Sequence, residues 1–146
     1  MTLFTLAISI HAIAAIAGIG LIGAIPIAAA FARRGGLAPP REGALLAIFL
    51  RYTQWSIGIV GLSGVLLEVA AHGAFHAAPW FRGSVALYLF LGFSHARARR
   101  AQRKGLVPGA DAATTLAALR KIERWGWVMC AAASAIALLM VVRPFP

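Results

Sequence analysis

The sequence contains few charged residues and very few acidic ones. Of its 146 residues, 12% are charged and four are acidic, while 61% are hydrophobic. Soluble globular domains carry about 25% charged residues. The composition therefore excludes that class and indicates an integral membrane protein of one domain.

Cysteine is also scarce. Cys130 is the one cysteine of the chain, so no disulfide can form within it. It stands inside an apolar run, which predicts a buried side chain that acts as a small hydrophobic residue.

The hydrophobic residues form four long apolar runs. A helix needs about 20 apolar residues to cross a bilayer, and four segments approach this length, so the sequence predicts an all-α, four-helix transmembrane bundle. The predicted spans are about 3–31, 52–71, 83–97 and 125–142. Asp111, after the Pro108-Gly109 break, is expected to cap a polar helical stretch before the fourth span.

The first run has a competing interpretation as a cleaved signal peptide. The opening MTLFTLAISI carries no positive charge, and the run is far longer than the apolar core of about 7–15 residues in such a peptide. We therefore expect a membrane span.

The basic residues lie between the apolar runs and predict the orientation. Eleven are expected on one side: Arg33, Arg34, Arg41, Arg97, Arg99, Arg100, Arg103, Lys104, Arg120, Lys121 and Arg124. Arg82 and Arg143 fall on the other side, with Arg51 at a helix edge. Positive loops stay cytoplasmic, so both termini are expected on the outer side of a multi-pass protein of the cell (inner) membrane.

The net charge of +10 raises the question of nucleic acid as a partner. The basic residues do not form one continuous basic face, and we expect them to contact anionic lipid headgroups instead. The expected partners are the lipid bilayer and either further copies of the chain or another membrane protein.

Glycines of the first two runs indicate close helix packing. GIGLIG, Gly18 to Gly23, matches a dinucleotide fingerprint but lacks the strand and crossover that the fingerprint requires. Small residues four positions apart let membrane helices approach. Two such pairs, Ala14/Gly18 and Gly20/Ala24, are expected to pack against a smooth surface on the second helix, formed by Gly58, Gly61 and Gly64.

Three of the four histidines and one carboxylate form the candidate site. Glu68, His72 and His76 share roughly one helix face. The first helix runs inward and the second outward, so His11 should lie near the depth of Glu68, with His76 near the surface. Ionisable groups at membrane depth indicate function by default.

Two kinds of chemistry fit these residues. His11 and His72 could hold haem b from both faces, with Glu68 as an orienting carboxylate. Alternatively, His11, Glu68, His72 and His76 could bind copper, zinc or non-haem iron. A structural interpretation remains beside both, in which Glu68 pairs with His11 or water and His72 and His76 belong to an outer loop. His95 is expected at the interface rather than in a site, and Arg51 and Gln54 are expected to satisfy backbone or lipid phosphate.

Several segments resemble a known family. HAIAAIAGIGLIGAIP, GLSGVLLE, PWFRGSVALYLFLGFSHARARR and the closing LMVVRP together are similar to four-helix membrane proteins related to HemJ-type protoporphyrinogen oxidase and CopD-like domains. The chain most resembles the uncharacterised predicted membrane proteins of that set. The resemblance implies a haem-b role for His11 alone.

The same comparison shows where the chain departs from the HemJ pattern. Gly18 stands where the pattern has Trp, Ile27 where it has Arg, and Ser84 where it has Lys. The Trp, Arg and Lys of the pattern are expected to serve the porphyrinogen reaction. Their loss in this chain argues against that activity. The expected functions are a haem-b-binding redox protein, a copper- or zinc-binding or transport-associated protein, or a structural subunit of a membrane complex.

Overall fold

The described part of the chain forms four helices. The computed structural model describes residues 2–35 and 39–142, with the side chains of 39, 40 and 42 outside that description. The helices are α1 (Leu3–Arg33), α2 (Pro39–Ala70), α3 (Pro79–Gly105) and α4 (Ala112–Val142). The all-α prediction is confirmed, and each helix extends beyond its predicted apolar span at one end or both. Arg143 and the end of the LMVVRP segment lie outside the described residues.

Local sequence signals explain where α4 begins. The Asp111 carboxylate accepts a hydrogen bond from the Thr114 backbone N–H at 2.8 Å and another from the Thr114 hydroxyl at 2.7 Å. Gly109 adopts φ +83°, which lets the chain turn sharply just before this cap. The predicted cap at Asp111 is confirmed.

Three of the helices are long and apolar enough to cross a membrane. They are α1, α2 from Gly43 onward, and α4. Their outward faces carry large exposed apolar side chains such as Ile16, Leu62 and Leu138, as expected of helices that face lipid. Basic residues fill the second half of α3, so its predicted span stays a prediction, as does the orientation of the termini.

The helices pack in the order α2–α1–α4–α3. Helix α1 packs on α2 and α4, and α3 packs on α4, whereas α2 and α3 make far fewer contacts with each other. We call this thin α2/α3 contact the seam. We call the end with the α1–α2 and α3–α4 connections the basic end, and the end with the α2–α3 connection the opposite end.

Glycines bring the helices close together at three crossings. A Cβ at Gly126 would lie 2.8 Å from Cδ of Pro26, and one at Gly18 would lie 2.5 Å from Oγ of Ser56. A Cβ at Gly105 would clash with the Cβ of Ala118. The α1/α4, α1/α2 and α3/α4 contacts therefore each depend on a missing side chain.

The predicted glycine surface is correct only in part. Gly18 of α1 and Gly64 of α2 lie at the α1/α2 contact, where a Cβ at Gly64 would be 3.6 Å from the His11 ring. Gly61 instead faces Tyr88 of α3, and Gly20 and Gly58 have nothing within 4 Å of an added Cβ. The sequence does not show which glycines face another helix, because the lipid-facing side of a membrane helix is as apolar as its packed side.

The basic end contains the tightly packed core. Ile25 and Leu46 are fully buried there, together with Ile122 and Met129 of α4. An ion pair closes the core at this end, with Nε of Arg33 donating to the Glu123 carboxylate at 2.8 Å.

Helix α1 contains a proline within this core. Pro26 has no N–H, so the Ile22 carbonyl loses its normal helical partner. The thiol of Cys130 on α4 lies 3.7 Å from that carbonyl and donates to it. The cysteine is half-buried, so its predicted burial is correct only in part.

Candidate functional site

An apolar cavity opens between the four helices toward the opposite end. Its volume is about 540 Å³, within the range of about 300–1,000 Å³ for small-molecule sites. All four helices line it, through mostly aliphatic side chains such as Ile22, Val60 and Ile136. The polar or ionisable lining residues are His11, Ser56, Glu68, Ser84 and Tyr88.

His11 is held on the cavity wall by Ser63. Nδ1 of His11 lies 3.0 Å from the Ser63 hydroxyl oxygen. That hydroxyl has one proton, and it donates it to backbone carbonyls one turn back, with Ile59 at 2.7 Å and Val60 at 3.1 Å. We assign this hydroxyl proton to the carbonyls, so that Ser63 accepts from His11 and the His11 proton lies on Nδ1. Nε2 then carries the free lone pair, which is the form of histidine that ligates metals.

Tyr88 closes one side of the cavity at the seam. Its hydroxyl donates to the Ile57 carbonyl of α2 at 2.6 Å. It can reach this carbonyl because position 61 is glycine, where an added Cβ would clash with the hydroxyl. Tyr88 and Gly61 therefore form a matched pair that fixes the distance between α2 and α3.

Glu68 lines the cavity but uses its carboxylate to order the α2–α3 connection. It accepts from the backbone N–H groups of Phe75 at 3.1 Å and His76 at 2.9 Å. The His76 ring nitrogen Nδ1 lies 3.2 Å from the same carboxylate. Glu68 thus lies in the cavity wall with His11, as its depth predicted, while its partner is His76 and not His11.

The other predicted ligands lie away from the cavity. His72 is exposed in the turn after α2, with a left-handed φ of 53°, and does not line the cavity. His76 is also exposed. Helical spacing placed both histidines on the face of Glu68, and the structure brings the His76 ring to the Glu68 carboxylate. The reason is that α2 ends at Ala70, so helical spacing does not apply beyond it.

The described part of the chain contains no cluster of metal-ligating side chains. Within residues 2–35 and 39–142, no three His, Cys, Asp or Glu side chains come together as a group that could hold a metal ion. The copper or zinc site of His11, Glu68, His72 and His76 stays a prediction from the sequence.

His95 is buried rather than exposed at an edge. Its Nε2 lies 2.8 Å from the Leu50 carbonyl and donates to it across the seam. His95 and Tyr88 are seven residues apart, as are their acceptors Leu50 and Ile57. Two side-chain-to-backbone bonds therefore hold the seam. Arg51 is exposed, but it lies within α2, which begins at Pro39, and not at a helix edge as predicted.

Sequence reasoning missed Ser63, Tyr88 and the bridging role of His95. Ser63 could have been found as a small polar residue at the expected depth of His11. Comparison with known proteins supplies no further assignment, because no family model, curated protein or solved structure matches the chain. The geometry therefore describes a multi-pass helical membrane protein with one histidine on the wall of an apolar cavity.

Proposed function

We propose that this membrane protein binds haem b in the apolar cavity, with Nε2 of His11 as an axial ligand. One observation carries the proposal: Nδ1 of His11 lies 3.0 Å from the Ser63 hydroxyl, to which we assign the accepting role, so that Nε2 is left unprotonated. Haem iron is commonly held by such an imidazole, whose other nitrogen is oriented by a hydrogen bond.

The cavity suits the rest of the ligand. Its lining is almost wholly aliphatic and aromatic, and it lies between helices of a bundle, where cofactor sites are commonly built. Haem supplies one-electron chemistry when bound. The protein would hold it away from water and orient the imidazole through Ser63. Because His72 lies outside the cavity, the proposal rests on His11 alone.

The proposal does not extend to protoporphyrinogen oxidation. Gly18, which replaces the Trp of the HemJ pattern, is buried against Ser56. Ser84, which replaces the Lys, uses its hydroxyl on the Trp80 carbonyl at 2.9 Å. Ile27, in place of the Arg, is exposed. None of the three supplies a charged group to the cavity.

The visible spectrum of the purified protein tests haem binding. After expression with a haem precursor, we expect a Soret band in the wild type and its loss in His11→Ala. His72→Ala is the matched histidine control and should keep the band. A wild-type protein without a Soret band, or equal bands in wild type and His11→Ala, contradicts the proposal.

We also propose a membrane location, an orientation and self-association for the protein. The basic connections support a place in the cell (inner) membrane with both termini outward. Gly58, which has open space around it, supports self-association through a small-residue surface of α2. Accessibility labelling of single cysteines at either end tests the orientation, and native mass spectrometry tests the association.

A further inference from the structure

A second cavity lies at the seam, nearer the basic end than the first. Its volume is about 310 Å³. Its lining residues are Gln54 and Ile57 of α2 and Gly92, His95, Ala96 and Arg99 of α3. Unlike the larger cavity, it combines a cation, an amide and an imidazole within one small space.

The charge of this second cavity is positive. Arg99 is half-buried, and within the described side chains no Asp or Glu lines the cavity. Among the described side chains, the carboxylates that form ion pairs are Glu68 and Glu123, and neither pairs with Arg99. A partly desolvated guanidinium without a carboxylate partner among the described side chains favours a phosphate, which it can bind through two parallel hydrogen bonds.

The surroundings favour a lipid over a free anion. Ile57 lines both cavities, so the polar second cavity adjoins the apolar first one along the seam. The seam is also the thinnest contact of the bundle, and the exposed apolar side chains Val65 of α2 and Leu89 of α3 line the adjoining first cavity. A molecule with a negative head and an apolar tail matches this sequence of surfaces.

We propose that the second cavity binds the headgroup of an anionic phospholipid, with Arg99 and Gln54 as its phosphate ligands and the seam as the path of an acyl chain. Basic pockets between membrane helices commonly bind such headgroups. The site is separate from His11 and does not depend on haem.

Native mass spectrometry in detergent tests this site. A detergent micelle lacks the surface potential of a bilayer, so the lipid that stays bound reports on the site and not on a general attraction of basic residues to a membrane surface. The probes are phosphatidylglycerol and, as the zwitterionic control, phosphatidylcholine. We expect one phosphatidylglycerol per chain, and binding weaker by about tenfold in Arg99→Gln, because a hydrogen-bonded charge is lost. Arg100→Gln, an exposed neighbour with the same change in charge, should stay within about twofold of the wild type.

Three results would overturn the proposal. They are equal binding of the two lipids, equal losses in Arg99→Gln and Arg100→Gln, and thermal stabilisation by inorganic phosphate as large as that by phosphatidylglycerol. The last result would assign the site to free phosphate. If Arg99→Gln fails to fold, phosphatidylglycerol binding by Gln54→Ala tests the site instead, because Gln54 is exposed. We expect binding about fivefold weaker than in the wild type. Unchanged binding counts against the site. His11→Ala should bind phosphatidylglycerol normally.

Discussion

The two ends of the bundle use the same apolar residue types for different purposes. At the basic end, Gly126 and Pro26 bring α4 and α1 together, and Ile25 and Ile122 are fully buried. Toward the opposite end, the same helices separate around a cavity of about 540 Å³ that contains the His11 ring in its wall. Close packing supports the fold at one end, and its absence at the other leaves room for a ligand.

Adding a side chain at the closely packed basic end should have the largest effect on stability. A Cβ in Gly126→Ala would lie within 3.0 Å of three atoms of Pro26. We expect overpacking to lower the free energy of unfolding by about 1–3 kcal/mol. Gly20→Ala is the matched control, because an added Cβ there meets nothing within 4 Å.

Thermal unfolding of both variants in the same detergent measures this difference. Alanine generally favours a helix over glycine by up to about 1 kcal/mol, so Gly20→Ala should be neutral or stabilising. A melting temperature for Gly126→Ala equal to that of Gly20→Ala would show that α1 and α4 are not in close contact at Pro26.

At the cavity, a substitution should change ligand binding more than folding. Ser63→Ala removes the acceptor for Nδ1 of His11. Loss of such an orienting group weakens metal binding by about 10–100-fold, so we expect a comparable loss of haem affinity with little change in melting temperature. Haem titration followed at the Soret band measures this, with Ser134→Ala, an exposed serine of α4, as the control. Equal affinities for wild type and Ser63→Ala would remove Ser63 from the site.

Between the two ends, the Tyr88 bond should contribute a smaller amount. Tyr88→Phe removes the hydroxyl that donates to Ile57, at a cost of about 1 kcal/mol. Gly61→Ala should cost at least as much, because its Cβ clashes with the same hydroxyl. The double variant should be more stable than the sum of the two losses predicts, because the hydroxyl, which is the nearest clashing atom, is gone and a ring carbon at 2.9 Å remains. Strict additivity in detergent unfolding would show that the two residues do not touch.

The smallest effect is expected outside the membrane, at the Asp111 cap. Hydrogen bonds from the Thr114 backbone N–H and hydroxyl hold the pKa of Asp111 below its ordinary value of about 3.9. A lowered pKa means that the cap stabilises α4 fully above the ordinary value and that this contribution is lost as the pH falls through the folded-state pKa.

Melting temperatures between about pH 6 and pH 2 test the cap, with the wild type compared with Asp111→Asn. The wild type should lose its advantage over the variant toward the acid end. A difference that stays constant over this range would mean that Asp111 does not titrate with folding.

The sequence predicted the helices better than their faces. Long apolar runs and the Asp111 signal located the elements because both are local. The rotation of each helix was harder to predict, because lipid and core both favour apolar side chains. Gly61 was therefore assigned to α1 although it faces α3.

The sequence predicted the depth of the candidate-site residues but not their hydrogen-bond partners. His11 and Glu68 do line one cavity, since helix length and direction set their depth. Their partners Ser63 and His76 depend on side-chain geometry between helices and in a loop, which spacing along the chain does not determine. His95 was misplaced for the same reason, because its acceptor is a carbonyl of another helix.

The thin seam between α2 and α3 also makes the chain separable. Consecutive helices α1–α2 and α3–α4 form two closely packed hairpins, and the main contact between the hairpins is α1 with α4. Membrane helices can insert first and associate afterwards, so each hairpin could enter the bilayer as its own unit. Two fragments divided at Ala74, within the α2–α3 connection, should therefore reassemble when co-expressed, as a natural split protein would.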